Sequence, residues 1–195
     1  MKQMNLNQLL GAFLFFIFLI PSFSARAAYF LSGDVYYSSD AFTYTTATTS
    51  GATFWSMGLN LGLGNSKKFS VGWNVLGISR PETDTASSTF SSSDMGLRFG
   101  WNLSRGGAGW LLAVTYNIKA TGSYDGSGQA ETLKGTSLLA EIGYVPLVSE
   151  SWNAGMKLCY YAPSFTESLI GATTYSVVSY SRTMIFPTFA FGFNW

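Results

Sequence analysis

In the segment "IFPTFAFGFNW", residues 185–195, the last letters alternate: Phe189, Phe191, Phe193 and Trp195 share one phase, and Thr188, Ala190, Gly192 and Asn194 the other. A period of two belongs to a strand, whose successive side chains point to opposite faces; a helix would bring together residues three and four apart. Terminal segments are ordinarily frayed and polar, so a ring on the last residue implies attachment to something apolar. Core or lipid has to be decided from the rest of the chain.

The same alternation recurs along residues 28–38, 53–64, 69–77, 94–103, 110–120, 136–146, 152–161 and 183–195, which predicts eight strands. The connections alternate in length. Ser/Thr/Gly-rich stretches at 39–52, 78–93, 121–135 and 162–182 read as long loops, and "NSKK" (65–68), "SRGGAG" (104–109) and "LVSES" (147–151) as short turns. Short turns at one end and long loops at the other describe an up-and-down meander of hairpins.

Sorting the strands by phase separates two chemistries. One phase carries Trp55, Met57, Phe69, Trp73, Leu97, Phe99, Trp101, Trp110, Tyr116, Tyr144, Trp152, Leu158 and the terminal rings, with no charge; the other carries Gly58, Asn60, Asn74, Gly96, Asn117 and Gly143 together with Asp34, Asp94, Arg98, Lys119, Glu141 and Lys157. In a soluble ligand-binding barrel the bulky phase would line the lumen, but eight strands leave too little room for it, and a Gly-rich phase with few charges makes a poor aqueous surface. Bulky residues toward lipid and small or polar residues inside satisfy both constraints. Charged residues are 11 % of the chain and aromatics 17 %, where about 25 % charged is ordinary, so much of the surface faces something other than water. The rings are also banded. Trp101, Trp110, Trp152 and Trp195 fall beside short turns or the terminus and Trp55 beside a long loop, the distribution of two interfacial girdles.

The N-terminus indicates the compartment. Lys2, the uncharged run "LLGAFLFFIFLI" (9–20), Pro21 and Ala25-Arg26-Ala27 follow the order of a secretory signal peptide, which places cleavage after Ala27 and a single barrel domain over 28–195. Twelve residues of helix would span roughly 18 Å, short of the roughly 30 Å hydrocarbon core. Removing Lys2 and Arg26 from 11 cations leaves 9 against 10 anions, a net charge of −1, which argues against nucleic-acid binding.

With these features the chain resembles the small eight-stranded outer-membrane proteins of Gram-negative bacteria, of the OmpX and OmpA membrane-domain type. The resemblance covers the whole mature chain as a pattern and is one of class. It implies an all-β, eight-stranded antiparallel up-and-down transmembrane β-barrel, porin-like, in the outer membrane with both termini periplasmic; no peptidoglycan-binding domain is expected after the last strand, which separates the chain from full-length OmpA. Phe189, Phe191, Phe193 and Trp195 then form the signal read by the outer-membrane assembly machinery. Outer-membrane lipid and lipopolysaccharide are its expected surroundings, and a monomer is expected. Pro187 departs from the pattern by removing a ladder donor from strand eight, where a bulge or weak pairing is expected.

Chemistry is sparse. The chain has no histidine, and the lipid A palmitoyltransferases and deacylases that a small outer-membrane barrel can resemble depend on it for acid/base or nucleophile activation. A Ser–Lys pair using Lys119 is conceivable, but an inward lysine is more often an ion-pair partner. One cysteine, Cys159, and no histidine leave no ordinary zinc set. "DGSGQAE" (125–131) lacks EF-hand spacing, and "GLGNSKK" (62–68) lacks the helix of a phosphate loop. No enzyme activity, metal or cofactor is expected.

Counted from the short-turn ends at about 3.3 Å per residue, Arg98, Glu141, Lys157 and Asp34 reach one level of the lumen, where opposite charges suggest a compensating plug, with Lys119 on the same inner phase. The alternatives are a narrow pore, or lateral passage of a small apolar molecule as in OmpW-like barrels, for which Phe54, Leu76, Leu139 and Cys159 on the inner phase speak. Phe42, Tyr44, Phe165, Leu169 and Ile170 are candidate surface-contact residues in the long loops. The reading that follows is a non-enzymatic outer-membrane barrel with a filled lumen, displaying Ser/Thr-rich loops for envelope integrity or surface interaction.

Overall fold

A computed structural model of the chain describes residues 29–44, 46–63, 68–83, 87–103, 109–125, 130–171 and 175–194. Residues 1–28, which include the stretch read above as a signal peptide, and Trp195 lie outside them. The described residues form strands β1 (Tyr29–Tyr44), β2 (Thr46–Leu63), β3 (Phe69–Thr83), β4 (Ser87–Asn102), β5 (Gly109–Asp125), β6 (Ala130–Val145), β7 (Trp152–Ile170), β8 (Ser176–Ser181) and β9 (Met184–Asn194). Each strand from β1 to β7 pairs antiparallel with the next. β9 lies along the first part of β7 and β8 along its last part, so the two are successive pieces of one stave. The fold is therefore all-β, with eight antiparallel up-and-down staves. β9 pairs back onto β1 from Phe30↔Asn194 to Val35↔Phe189, which brings the ladder to its starting strand at the short-turn end. Beyond Val35, β1 pairs with β2 alone and the eighth stave with β7 alone. Pro187 falls in that stretch, so its missing N–H leaves no gap in the β1 ladder, and the β7 register runs past it without a bulge.

The strands are longer than the alternation predicts. β1, β3, β5 and β7 run on through much of the stretches read as loops, to Tyr44, Thr83, Asp125 and Ile170. Strands of 15 to 19 residues exceed the roughly 9–11 needed to cross a bilayer. Segments such as "SSTFSSS" (87–93) lack hydropathic contrast, yet their threonines and serines hold a ladder that satisfies the backbone.

Inside and outside are inverted relative to a soluble protein. Arg98, Glu141 and Lys157 retain 3, 4 and 4 % of their accessible surface, whereas Phe99 and Ile185 expose 57 and 66 %. At the short-turn end, outward rings pair across strands: Phe69 with Trp101 (centroids 6.2 Å apart), Trp110 with Tyr144 (5.5 Å) and Trp152 with Phe193 (5.0 Å).

Toward the long-loop end the outer face becomes hydroxylated along one line. Across β2 to β6 the register sets Trp55, Gly77, Ser93, Thr121 and Lys134 on one row and Thr53, Ser79, Ser91, Ser123 and Thr132 on the next. Beneath them lie Met57, Val75, Met95 and Lys119.

A β-bulge in β5 puts Lys119 in that row. The register passes from Asn117↔Ser137 to Ala120↔Gly135, so two residues of β5 oppose one of β6, and Ile118 and Lys119 are both exposed. The sequence phase had directed Lys119 into the lumen; a bulge shifts every later residue of the strand to the other phase. Gly96 faces the crowded backbone at this point, where a Cβ would collide with the Tyr116 carbonyl oxygen.

Candidate functional site

The polar interior is the place where chemistry-bearing side chains converge. Glu141 on β6 sits between two cations. Its Oε2 accepts a hydrogen bond from Arg98 Nε of β4 at 2.9 Å, and its Oε1 accepts one from Lys157 Nζ of β7. Arg98 Nη1 also donates to Asn60 Oδ1 of β2 at 3.2 Å. The arginine reaches across the intervening β5, whose inward residue opposite Glu141 is only Ala113. Gly143, opposite Lys157, leaves room for the lysine stem: a Cβ there would stand 2.6 Å from Lys157 Cγ. Ions this deeply buried persist only when paired and hydrogen-bonded, and the two carboxylate oxygens of Glu141 are each engaged by one of them.

Of the five residues expected in the lumenal network, the structure brings Arg98, Glu141 and Lys157 together. Asp34 is placed through its backbone, opposite Ser56 and Ala190, and its side chain lies outside the described residues. Lys119 is on the outer surface. Trp101, Trp110 and Trp152 face outward at the short-turn end and Trp55 outward on β2; Phe189 and Phe191 are exposed and Phe193 is half-buried against Trp152.

A second cluster, not anticipated as a site, surrounds Asp94 of β4. Its carboxylate accepts hydrogen bonds from Ser92 Oγ, Ser137 Oγ and Tyr161 Oη, each at 2.5 Å. Asn117 Nδ2 donates to Ser137 Oγ at 2.8 Å. All these groups are on the inner phase. The readable signal was an inward acid with an inward tyrosine and serine able to donate to it. Among the described residues, two buried acids, Asp94 and Glu141, and two buried cations, Arg98 and Lys157, thus offset one another formally along the lumen.

Above Asp94 the interior turns apolar. Phe54 meets Phe186 (4.8 Å between centroids) and Phe90 meets Phe165 (6.1 Å), with Leu76, Leu133, Leu139 and Met184 filling between them. Phe165 is therefore a buried packing residue, not a loop contact; Ile170 is exposed, Leu169 half-buried, and the side chains of Phe42 and Tyr44 lie outside the described residues. Cys159 is buried at the lower edge of this cluster, its Sγ 3.5 Å from Thr188 Oγ1. At the mouth a cleft of about 420 Å³ opens beside Phe90, Tyr124, Glu131, Tyr180 and Arg182. The Arg182 guanidinium lies 5.3 Å from the Phe90 ring centroid, and burial together with the Arg80 charge lowers its pKa from the ordinary arginine value.

No family model matches the chain, and no curated protein matches it. Among solved structures it is similar to the crystal structure of Neisserial surface protein A (NspA), at 13 % identity and a TM-score of 0.41, over 86 % of this chain and 94 % of that one.

Proposed function

We propose that the chain is an integral outer-membrane β-barrel without enzymatic activity, whose lumen is plugged by its own side chains and whose long-loop end stands out of the bilayer as a hydroxyl-rich surface for envelope integrity or surface interaction. The observation that carries this reading is the inverted polarity of the short-turn half: a buried Arg98–Glu141–Lys157 triad inside a wall of exposed Phe, Trp, Leu and Ile. In water that arrangement would expose apolar area far beyond what a monomer tolerates, whereas lipid accommodates it. On this reading residues 1–27 are the cleaved signal peptide, both termini are periplasmic, the outward tryptophans form the interfacial girdles, and the terminal Phe189, Phe191, Phe193 and Trp195 address the chain to the assembly machinery.

The plug reading makes a direct expectation. Refolded into planar bilayers, the mature chain gives no discrete single-channel steps, because two polar clusters and an aromatic cap cross the lumen in series. Discrete ohmic conductance would replace the plug with a narrow pore. Boil-sensitive electrophoretic migration and a strand-rich circular dichroism spectrum test the membrane barrel itself.

A second reading has one observation in its favour. The ladder between β1 and the eighth stave ends at Val35↔Phe189, and Phe186 and Met184 of the apolar cap lie on the eighth stave just beyond that end. That geometry suits lateral passage of a small apolar molecule. Cross-linking engineered cysteines at Tyr36 and Thr188 tests it, since a locked seam would abolish uptake only if this is the route.

A further inference from the structure

Two rows on the outer face, Trp55–Gly77–Ser93–Thr121–Lys134 and Thr53–Ser79–Ser91–Ser123–Thr132, lie just above the Met57–Val75–Met95 row, and a groove of about 350 Å³ runs along their serines and threonines. Trp55 closes one end. Its ring lies against Gly77, where a Cβ would collide with it, so one face of the indole is presented outward. Ser91 and Ser123 hydroxyls are 2.7 Å apart in the middle. Lys119 and Lys134 stand at the other end, in adjacent rows on adjacent strands. Lys119 makes no ion pair with any described residue; Lys134 Nζ sits 3.7 Å from the Tyr175 ring centroid, and Glu167 faces Lys134 across the β6–β7 ladder.

We propose that this shelf binds the phosphorylated sugar headgroup of an outer-leaflet glycolipid, an inference that rests on the outer-membrane reading above. The chemistry is divided along the shelf as that ligand requires. Acyl chains descend along Met57, Val75 and Met95, sugar hydroxyls exchange hydrogen bonds with the serine and threonine rows while a pyranose face lies on Trp55, and phosphate meets the two lysines. Size selects between lipids. Five strands at about 4.8 Å spacing extend the rows over roughly 19 Å, the length of a disaccharide carrying phosphate and several times that of a single phospholipid headgroup. The β5 bulge is what supplies the cation: without it Lys119 would point into the lumen, and the phosphate end of the shelf would hold Lys134 alone, opposite Glu167.

The test uses the mature chain in phosphatidylcholine nanodiscs containing equal mole fractions of a bisphosphorylated acylated diglucosamine and of phosphatidylglycerol, with retained lipids counted by native mass spectrometry. Selective retention of the phosphoglycolipid is expected, falling about fivefold in Lys119→Gln, since a lysine near an anionic surface contributes on the order of a factor of five. Removal of the sugar phosphates reduces retention to a similar degree. Lys68→Gln, at the opposite end of the barrel, leaves it unchanged. Equal retention of the two lipids, or selectivity surviving both Lys119→Gln and Ser93→Val, overturns the shelf as a binding site and leaves it ordinary lipid contact. A chain that does not enter the nanodisc at all overturns the outer-membrane reading instead, and the two failures are told apart by co-elution with the disc.

Discussion

The two halves of the barrel are built to opposite rules. In the short-turn half, charge is inside and rings are outside: Arg98, Glu141 and Lys157 are buried while Phe99, Trp101 and Leu112 are exposed. In the long-loop half, Phe54, Phe90, Leu133 and Phe165 are buried while Thr53, Ser93 and Ser123 face outward. The first half has the polarity of a membrane protein and the second that of a soluble β-barrel. The change occurs near the bulge of β5 and the Asp94 cluster, and on the proposed membrane reading one continuous sheet serves two solvents. An apolar interior is the stable choice where water surrounds the wall, and a polar one is tolerated where lipid does.

The comparison is broken most readily at the triad. Glu141→Ala leaves Arg98 and Lys157 buried without their anion and is expected to cost roughly 3–5 kcal/mol, read as a lower urea midpoint in detergent. An unchanged midpoint means that water reaches the pair and that the lower lumen is not dry. A comparison of the two outer faces comes next. Phe99→Arg, in the apolar band, should cost about 2–4 kcal/mol of folding free energy into lipid vesicles, whereas Ser91→Arg, on the hydroxyl row, should stay within about 0.5 kcal/mol. Equal penalties would erase the boundary between the halves.

Two smaller effects sharpen where that boundary lies. Tyr161→Phe removes one of the three hydroxyls that hold Asp94 and should lower stability by about 1.5–3 kcal/mol, the range for a hydrogen bond to a charged group. If the loss is negligible, Ser92 and Ser137 alone satisfy the acid. Lys119→Gln should change stability by no more than about 0.5 kcal/mol, as for an exposed side chain. A loss of several kcal/mol would return this lysine to the lumen.

The lumenal triad was legible because Arg98, Glu141 and Lys157 lie on the short-turn side of the irregularities in their strands, so phase and depth counted from the short turns located them. Lys119 was not legible, because one extra residue at the bulge reverses the phase and nothing in "YNIKATG" (116–122) marks where it is inserted. Asp94 carried the right phase, but besides Ser92 on its own strand its donors come from strands distant in sequence, with Ser137 43 and Tyr161 67 positions away. The upper strands were hidden for another reason: where the outer face becomes Ser and Thr, hydropathy no longer contrasts strongly between faces, although the ladder continues.

By itself the sequence determined the strand class, the number of staves, and which phase of each lower strand is apolar, because a period of two is a local property that needs only neighbouring residues. Tertiary structure alone decided the rest. The bulge that turns Lys119 outward, the break between β8 and β9, the end of the β1–β9 ladder at Val35↔Phe189 and the meeting of Asp94 with Tyr161 all depend on the register between strands. Register is a relation between segments far apart in the chain, set by which pairings bury and satisfy the most groups at once, and no local pattern records it.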